Sequence, residues 1–352
     1  MSPPPPDCEL TPLDVASGLV LGFSPPEPVL TSGDIDAGTP LAALERAILP
    51  ALLRPPCVMS FTGGRGSSLV LAVAVQLARR EGLELPVPAT IRMRGSANAD
   101  ESASQERLVI RLGLTEWVRL QIEEECDLVG LVATAVLRRH GFLWPPDAHL
   151  WTPLLDWAFG GSLLTGVGYS RAGGEAPVFV FRDFRPLSWL QPSAKREVRT
   201  LWMADSVRRR RAQRDLAWWL RLRQVRIRIG LLQRMGAPRR VELCHPLLDP
   251  GVVAALAAQP KRSEIEPVLL EGLRSPPSTP AAWAASLWGP ASRELVADWR
   301  GEDVDQNLVD IDALAREWSL PQPDPRTYLL MQSIALARER RVAGDVAAAG
   351  PM

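Results

Sequence analysis

A glycine-rich turn between an apolar strand and an apolar helix restricts this chain's fold more than any other feature. The sequence CVMSF, from Cys57 to Phe61, is a short apolar run typical of a buried strand. TGGRGSS follows it directly, and Leu69–Arg80 continues as an alanine-rich helix. A strand, a small-residue turn and a helix aim several backbone N–H groups at one point, at the positive end of the helix dipole. The pattern predicts either an anion-binding cradle or a tight turn without a ligand.

Two glycine segments supply the candidate binding residues. The turn lacks the Gly-Lys-Ser/Thr ending of a Walker A loop, so it is not that motif. TGVGYSRAGG has Arg171 where a dinucleotide fingerprint needs glycine, so it is not that motif either. Arg65 would bring a positive charge to a phosphate, or else it is a solvent-facing arginine. The candidate nucleotide-binding residues are Thr62, Gly63, Gly64, Arg65, Ser67, Ser68, Gly166 and Gly168.

Alternation of strand and helix patterns predicts the fold class. Strands are expected over Cys57–Phe61, Val87–Met93, Trp117–Ile122 and Ser162–Gly166, and helices over Thr39–Leu53, Leu69–Arg80, Asp100–Gly113 and about Asp127–His140. Such spacings require crossovers, which give a parallel sheet with helices on both faces. Helical patterns dominate from about Ser193 onward. We therefore predict an α/β fold with a helical C-terminal region.

Charge and composition argue against several classes of partner. Forty basic and forty acidic residues give a net charge of zero, which disfavours general attraction to nucleic acid. The arginines of Val207–Ile229 recur with apolar residues near helical spacing, so a packed helix with outward arginines explains them more simply than an RNA surface. The acidic residues of 1–36 offer these arginines an internal partner.

The expected location is the cytoplasm, with no membrane partner. MSPPPPDCEL has neither the basic nor the apolar region of a signal peptide. No uncharged apolar run reaches the roughly 18 residues of a membrane helix. The four cysteines lie far apart without a CxxC pair, as in proteins of a reducing compartment.

Four stretches together resemble the synthetase domain of asparagine synthetase, in the PP-loop ATP pyrophosphatase family. SFTGGRGSS is similar to the SGGxDSS signature, and LAALERAILPALL resembles the helix before it. GGSLLTGVGYSRAGG resembles LLTGEGGDELFGG, and VELCHPLLDPGVVAALAAQP resembles the E-x-R-x-PFLD segment with its following helix. They occur in the family's order, over about residues 40–275. The resemblance implies a parallel sheet of PP-loop type.

The resemblance also gives a domain organisation. Residues 1–37, rich in proline and acid, are expected to form a flexible or loosely docked arm. The PP-loop domain would span 38–275, and a helical extension with a frayed tail would span 276–352. The arm stands where the family has its glutaminase domain, so glutamine-driven amidation within this chain is not expected.

The family chemistry and the departures from it point in different directions. The family activates a carboxylate with ATP and Mg²⁺, and an amine attacks the acyl-adenylate, so ATP is the implied ligand. Positions where the family has metal-binding or charged residues hold other residues here: Gly66, Val167, Ser170, Arg171, Cys244 and Glu266–Pro267. Mg²⁺ beside phosphates is held by carboxylates. These losses argue against bound Mg²⁺ and against adenylation in the family's usual way.

The leading interpretation is a catalytically impaired, asparagine-synthetase-like protein that binds a nucleotide, or a protein or peptide partner. The alternative is an active ATP-dependent, AMP-forming carboxylate–amine ligase, for example a macrolactam synthetase of a ribosomal peptide pathway. No catalytic residue is assigned. An active enzyme would need replacement carboxylates at the turn, and the candidates are Asp100, Glu101, Asp183 and Asp249.

The remaining polar candidates have structural explanations. Asp100 and Glu101 sit at a helix start, where capping is the simpler role. Glu242 and Asp249 are the acids retained in the third segment, and Asp249 precedes Pro250 as a helix cap would. The three histidines, His140, His149 and His245, lack metal-ligand spacing and are expected to have surface or packing roles.

Overall fold

The computed structural model describes residues 9–24, 39–93, 99–168, 187–212, 221–258 and 284–349. Its strands are β1 (Cys57–Ser60), β2 (Val87–Met93), β3 (Val118–Ile122), β4 (Ser162–Leu164) and β5 (Glu242–Cys244). Its α-helices are α1 (Pro12–Ser17), α2 (Pro40–Leu52), α3 (Arg65–Glu81), α4 (Ala99–Arg111), α5 (Leu131–His140), α6 (Thr152–Trp157), α7 (Pro192–Ala212), α8 (Arg223–Gly236), α9 (Pro250–Ala258), α10 (Pro290–Asp298), α11 (Ile311–Trp318) and α12 (Tyr328–Ala349). Within these ranges, no helix combines the length and apolarity that crossing a bilayer requires.

The five strands form one parallel sheet in the order β3-β2-β1-β4-β5. Val58 in the central strand β1 lies opposite Val87 of β2 on one side and Leu163 of β4 on the other. The chain therefore moves outward from β1 to β3 and then returns to start β4 beside β1. This reversal of direction opens a crevice at the carboxyl ends of β1 and β4. The predicted α/β class is confirmed, and β5 is a strand that the sequence patterns did not predict.

Helices cover both faces of the sheet, because successive side chains of a strand point to opposite sides. Val58 and Leu163 belong to a hydrophobic cluster that also contains residues of α5, α6, α8 and α12. Met59 and Leu164, their next neighbours in the chain, belong to a second cluster with α2, α3, α4 and α9. This double coverage explains why β1 and β4 are buried along their whole length.

Local signals set the ends of the helices that flank β1. The hydroxyl oxygen of Thr39 accepts a hydrogen bond from the Ala42 N–H at 3.2 Å, and Pro40 occupies the first turn of α2. Gly82 ends α3 with φ +68°, a conformation that favours glycine. Both helices lie where the sequence predicts them.

Part of the N-terminal segment is docked on the fold, in contrast to the flexible or loosely docked arm expected over 1–37. Thr11 and Asp14 form a capping box at the start of α1, and Asp14 also pairs with Arg223 at 2.7 Å. Gly18 packs on the backbone of Arg326 so closely that a Cβ would clash there. Residues 9–24 are held because this segment also buries four apolar side chains, those of Val15, Ala16, Leu19 and Val20.

The C-terminal helices share the hydrophobic core of the sheet domain. The predicted helical character of this region is confirmed, and α12 contributes Leu329 and Ile334 to the same cluster as Val58. Gln332 joins α12 to the segment after α5, since its side chain accepts from Leu143 N–H at 2.9 Å and donates to the Pro146 carbonyl at 3.2 Å. The described part of the predicted extension is thus packed into the main domain.

Candidate functional site

The turn after β1 has a backbone that only small residues permit. Gly63 has φ +79°, and a Cβ there would lie 2.7 Å from Cγ of Gln105. Gly64 is the N-cap of α3 and has no side chain to accept from the first helical turn. The first N–H groups of a helix have no partner within the helix itself. The turn therefore leaves backbone donors at the carboxyl edge of the central strand.

The hydroxyl groups of the turn are engaged within it. The Ser67 hydroxyl donates to the Gly64 carbonyl at 3.0 Å and lies 3.1 Å from the Thr62 hydroxyl. The Ser68 hydroxyl donates to the Gly63 carbonyl at 3.3 Å. Ser67 and Ser68 are buried, whereas Thr62 is exposed. The Thr62 N–H donates to the Ser67 hydroxyl oxygen at 3.3 Å, and the Gly64 N–H donates to the Thr62 hydroxyl oxygen at 3.3 Å. The side chains of the turn therefore brace it, and its outward donors are the N–H groups of the first turn of α3.

Residues of β2 and α4, together with Trp117 just before β3, hold the end of β1 from the side. The Gln105 side chain donates to the Thr62 carbonyl at 2.9 Å. The Thr90 hydroxyl donates to the Phe61 carbonyl at 2.7 Å, and the Trp117 indole donates to that hydroxyl at 3.0 Å. These bonds use the carbonyls that would otherwise be unpaired beyond the strand, so the turn is held in one position.

The structure brings the two predicted glycine segments together. Gly166, two residues after β4, packs against the backbone of Gly66 and Ser67, where a Cβ would clash with the Ser67 nitrogen. Gly168 has φ +113°, and a Cβ there would lie 2.6 Å from Cδ2 of Leu248. Arg65 is exposed at the start of α3. All eight predicted binding residues therefore lie at the carboxyl edge of β1 and β4, where the strand order reverses.

His245 is a polar residue of this edge to which sequence reasoning gave only a surface or packing role. It follows β5 directly, and its Nδ1 lies 2.7 Å from the hydroxyl of Thr165, which follows β4. Burial, and secondarily the positive charge of Arg228, lower the pKa of His245 to about 4. Arg228 lies on α8 with its guanidinium 5.5 Å from the ring centre of Trp151. If the sequence had allowed β5 to be identified as a strand, His245 would have been predicted at its carboxyl end, beside the other site residues.

The acids retained in the third segment have structural roles. Glu242 is at the amino end of β5, the opposite edge from the turn, where it pairs with Arg54 at 2.8 Å. Asp249 accepts from the N–H groups of Gly251 at 2.8 Å and Val252 at 3.2 Å, which confirms the predicted cap of α9. Neither carboxylate is bound to the turn after β1. Residues 169–186 and 259–283, with Ser170, Arg171, Asp183 and Glu266–Pro267, lie outside the described part of the chain, as do the side chains of Asp100 and Glu101.

The other predicted charged features are partly described. His149 is fully buried, and His140 ends α5; burial is the largest cause that lowers the pKa of each. The predicted pairing of the arginine segment with the acidic N-terminal residues is confirmed at Arg223, which binds Asp14. Side chains 206–220 lie outside the description. Among the described residues, no three His, Cys, Asp or Glu side chains are grouped so that they could hold a metal ion.

Comparison with known proteins adds no assignment. No protein-family model matches the chain, and no curated protein matches it. The geometry of the carboxyl edge is therefore the basis for assigning a function.

Proposed function

We propose that this protein binds the phosphates of an adenine nucleotide in the crevice between β1 and β4, as a divergent relative of the synthetase domain of asparagine synthetase. One observation carries the proposal: Gly166 packs against Ser67 at the start of α3, so the two glycine segments meet where the strand order reverses. In open α/β sheets ligands bind in that crevice. A helix that begins there offers backbone N–H groups and a positive dipole end to a phosphate.

The proposal favours binding over turnover. Gly66 occupies the position where the resembling family has an acid, and the described residues contain no three-residue group of metal ligands. Carboxylates normally hold Mg²⁺ beside phosphates. Nucleotide binding would then be independent of Mg²⁺, with Arg65 as the nearby positive charge and the α3 backbone as the donor set.

Isothermal titration with ATP and with a non-hydrolysable analogue, each in Mg²⁺ and in EDTA, tests this function. We expect the same affinity in both buffers and no release of pyrophosphate. Binding that requires Mg²⁺ and releases pyrophosphate would assign the active AMP-forming ligase instead. Absence of heat at millimolar ATP would contradict nucleotide binding and leave a protein or peptide as the partner.

Gly64→Asp and Gly64→Ala form a matched pair for the same site. The Gly64 backbone has no positive φ, and an added Cβ meets only the Thr62 hydroxyl at 3.3 Å, so both variants fit. Aspartate is a favourable N-cap and should keep or slightly raise the melting temperature. Its carboxylate would stand where the phosphates bind, and repulsion at about 4 Å is worth several kcal/mol near a protein surface.

We therefore expect Gly64→Asp to lose at least about tenfold in ATP affinity, a change of about 1.4 kcal/mol, while Gly64→Ala binds nearly as the natural protein does. Titration calorimetry and thermal unfolding measure the two quantities separately. Equal ATP affinity in both variants would place the phosphates elsewhere.

A further inference from the structure

Two buried nitrogen atoms without hydrogen-bond partners belong to side chains that interact electrostatically, Arg228 on α8 and His245 after β5. Within the described chain, Nε of Arg228 and Nε2 of His245 are both inaccessible and unpaired. Buried polar groups in native proteins are almost always bonded to protein, water or ligand. Each of these side chains retains some exposed surface. The pair therefore points to a polar partner that reaches it from outside.

Arg228 is a cation without a bonded anion. Its guanidinium lies over Trp151, and no hydrogen bond or ion pair joins it to a carboxylate among the described residues. Asp147 acts on it only through space, and the charge of Arg228 in turn lowers the pKa of His245. Arginine stays protonated even when buried. A positive charge is thus fixed beside the imidazole.

The Thr165 hydroxyl is the hydrogen-bond partner of Nδ1 of His245, at 2.7 Å, and its oxygen also accepts from the Val167 N–H at 3.4 Å. Either Thr165 or Nδ1 can donate in this bond, according to the tautomer of the ring. With a pKa of about 4, the ring is neutral at pH 7. When Thr165 donates, Nε2 carries the ring hydrogen, and Nε2 of His245 and Nε of Arg228 are then two donors without an acceptor among the described residues.

We propose that Arg228 and His245 form a binding site for an oxyanion, the phosphate or carboxylate group of a small molecule, beside the carboxyl ends of β4 and β5. Buried N–H donors require an acceptor, and Asp147, which acts on Arg228 only through space, leaves the guanidinium without a bonded anion among the described residues. Pairs of oxygen atoms on a carboxylate or a phosphate match the fork of donors on arginine. This site does not depend on nucleotide binding at the β1–α3 turn, and each is tested separately.

Histidine-selective NMR observes this site directly, because the chain has three histidines. The spectrum of His245→Gln identifies the His245 signal, and His140 is an internal reference. Inorganic phosphate and acetate are titrated separately at pH 7 and constant ionic strength. We expect a saturable shift of the His245 Nε2–H signal, larger with phosphate if the site takes phosphoryl groups and with acetate if it takes carboxylates. An unchanged His245 signal with both probes at millimolar concentration would overturn the proposal.

Variants of Arg228 separate its charge from its donors. Arg228→Met keeps the apolar stem and should abolish the saturable shift, whereas Arg228→Lys keeps the charge without Nε and should weaken binding roughly tenfold to a hundredfold. Arg234→Met, on the same helix, is the control and should bind as the natural protein does. If Arg228→Met fails to fold by circular dichroism, Arg228→Lys carries the test. Unweakened binding by Arg228→Lys would exclude Arg228 as the ligand.

ATP titration of the same Arg228 variants keeps the two proposals distinct. Retained ATP binding with loss of the His245 shift confirms a separate oxyanion site. Loss of the His245 response in natural protein that still binds ATP would remove this inference and leave the proposed function intact.

Discussion

The imidazole of His245 is kept neutral by burial and secondarily by the positive charge of Arg228. Its pKa is lowered to about 4, whereas an unfolded histidine titrates near 6.5. Between these values the unfolded chain binds a proton that the folded chain excludes. The contribution of His245 to stability is therefore complete above about pH 6.5 and is lost as the pH falls toward 4.

His245→Gln should make the pH dependence of folding shallower. Glutamine retains a hydrogen-bonding side chain but does not titrate, so the free energy of unfolding should fall less between pH 7 and pH 4.5, by roughly 1–3 kcal/mol. Urea unfolding at the two pH values measures the difference. His140→Gln, at the end of α5, where the histidine is only half-buried, serves for comparison. An equal loss in His245→Gln and the natural protein would show that the ring is not held neutral by its surroundings.

At the scale of elements, α1 is docked by one partly buried ion pair. Arg223 binds the Asp14 carboxylate at 2.7 Å and donates to the carbonyls of Leu21 at 2.8 Å and Glu9 at 2.9 Å. The two charged side chains are only 15% and 7% exposed. Removal of one partner from such a pair leaves the other charge buried and unpaired, at a cost of about 3–5 kcal/mol.

Arg223→Met should therefore release α1 from the domain. Hydrogen exchange should become fast over residues 9–24, while the sheet and the helices around it keep their protection, since release of a short segment relieves the unpaired Asp14. Arg54→Met removes an exposed pair, Arg54–Glu242, whose loss is worth at most about 1 kcal/mol. Unchanged exchange over 9–24 in Arg223→Met would mean that apolar contacts alone dock α1.

Prediction from sequence succeeded for elements that carry their own signal. β1 and β4 are short apolar runs, β3 alternates apolar and polar residues, and α2 and α3 have caps or glycine stops within a few residues. β5 is three residues long and begins with the exposed Glu242, so no periodicity marks it. α1 is stabilised by Arg223, about 200 residues away in the chain. Whether β5 and α1 form is therefore decided by partners that are distant in the sequence.

The residues of the candidate site also fall into two groups, those that a local sequence pattern identifies and those that only the fold brings together. The turn Thr62–Ser68 and the segment with Gly166 and Gly168 were identified because strand, glycine and helix follow one another in the sequence. The contact of Thr165 with His245 requires the register of β4 against β5, in which Leu164 lies opposite Cys244. No local sequence pattern specifies that register, so the contact between Thr165 and His245 could be identified only from the structure.

At the scale of the whole molecule, the C-terminal helices complete the core that the sheet begins. Asp127, buried after β3, accepts from both the N–H and the hydroxyl of Ser292 at the start of α10. Gly289 leaves space for that carboxylate, since a Cβ there would meet it. The described residues of the predicted domain, 38–275, and of its predicted extension, 276–352, are thus joined through one buried acceptor and one hydrophobic cluster.

Asp127→Ala should destabilise the entire protein rather than detach its C-terminal part. It leaves the Ser292 donors unpaired in the core, at about 1–3 kcal/mol for each buried group. Urea unfolding followed by far-UV circular dichroism and by tryptophan fluorescence should give coincident transitions, both shifted to lower denaturant. Ser292→Ala is the milder companion variant. Two separated transitions would show that the C-terminal helices unfold independently.

The contacts of α1 also have a consequence for synthesis. This helix is translated before α12 and the turn Pro325–Thr327, and it packs against both. A nascent chain on the ribosome cannot offer α1 its docking surface until these two segments have been translated. Contacts so distant in sequence slow folding and prolong the exposure of apolar surface. Chaperones therefore have the interval between the synthesis of α1 and that of α12 in which to act.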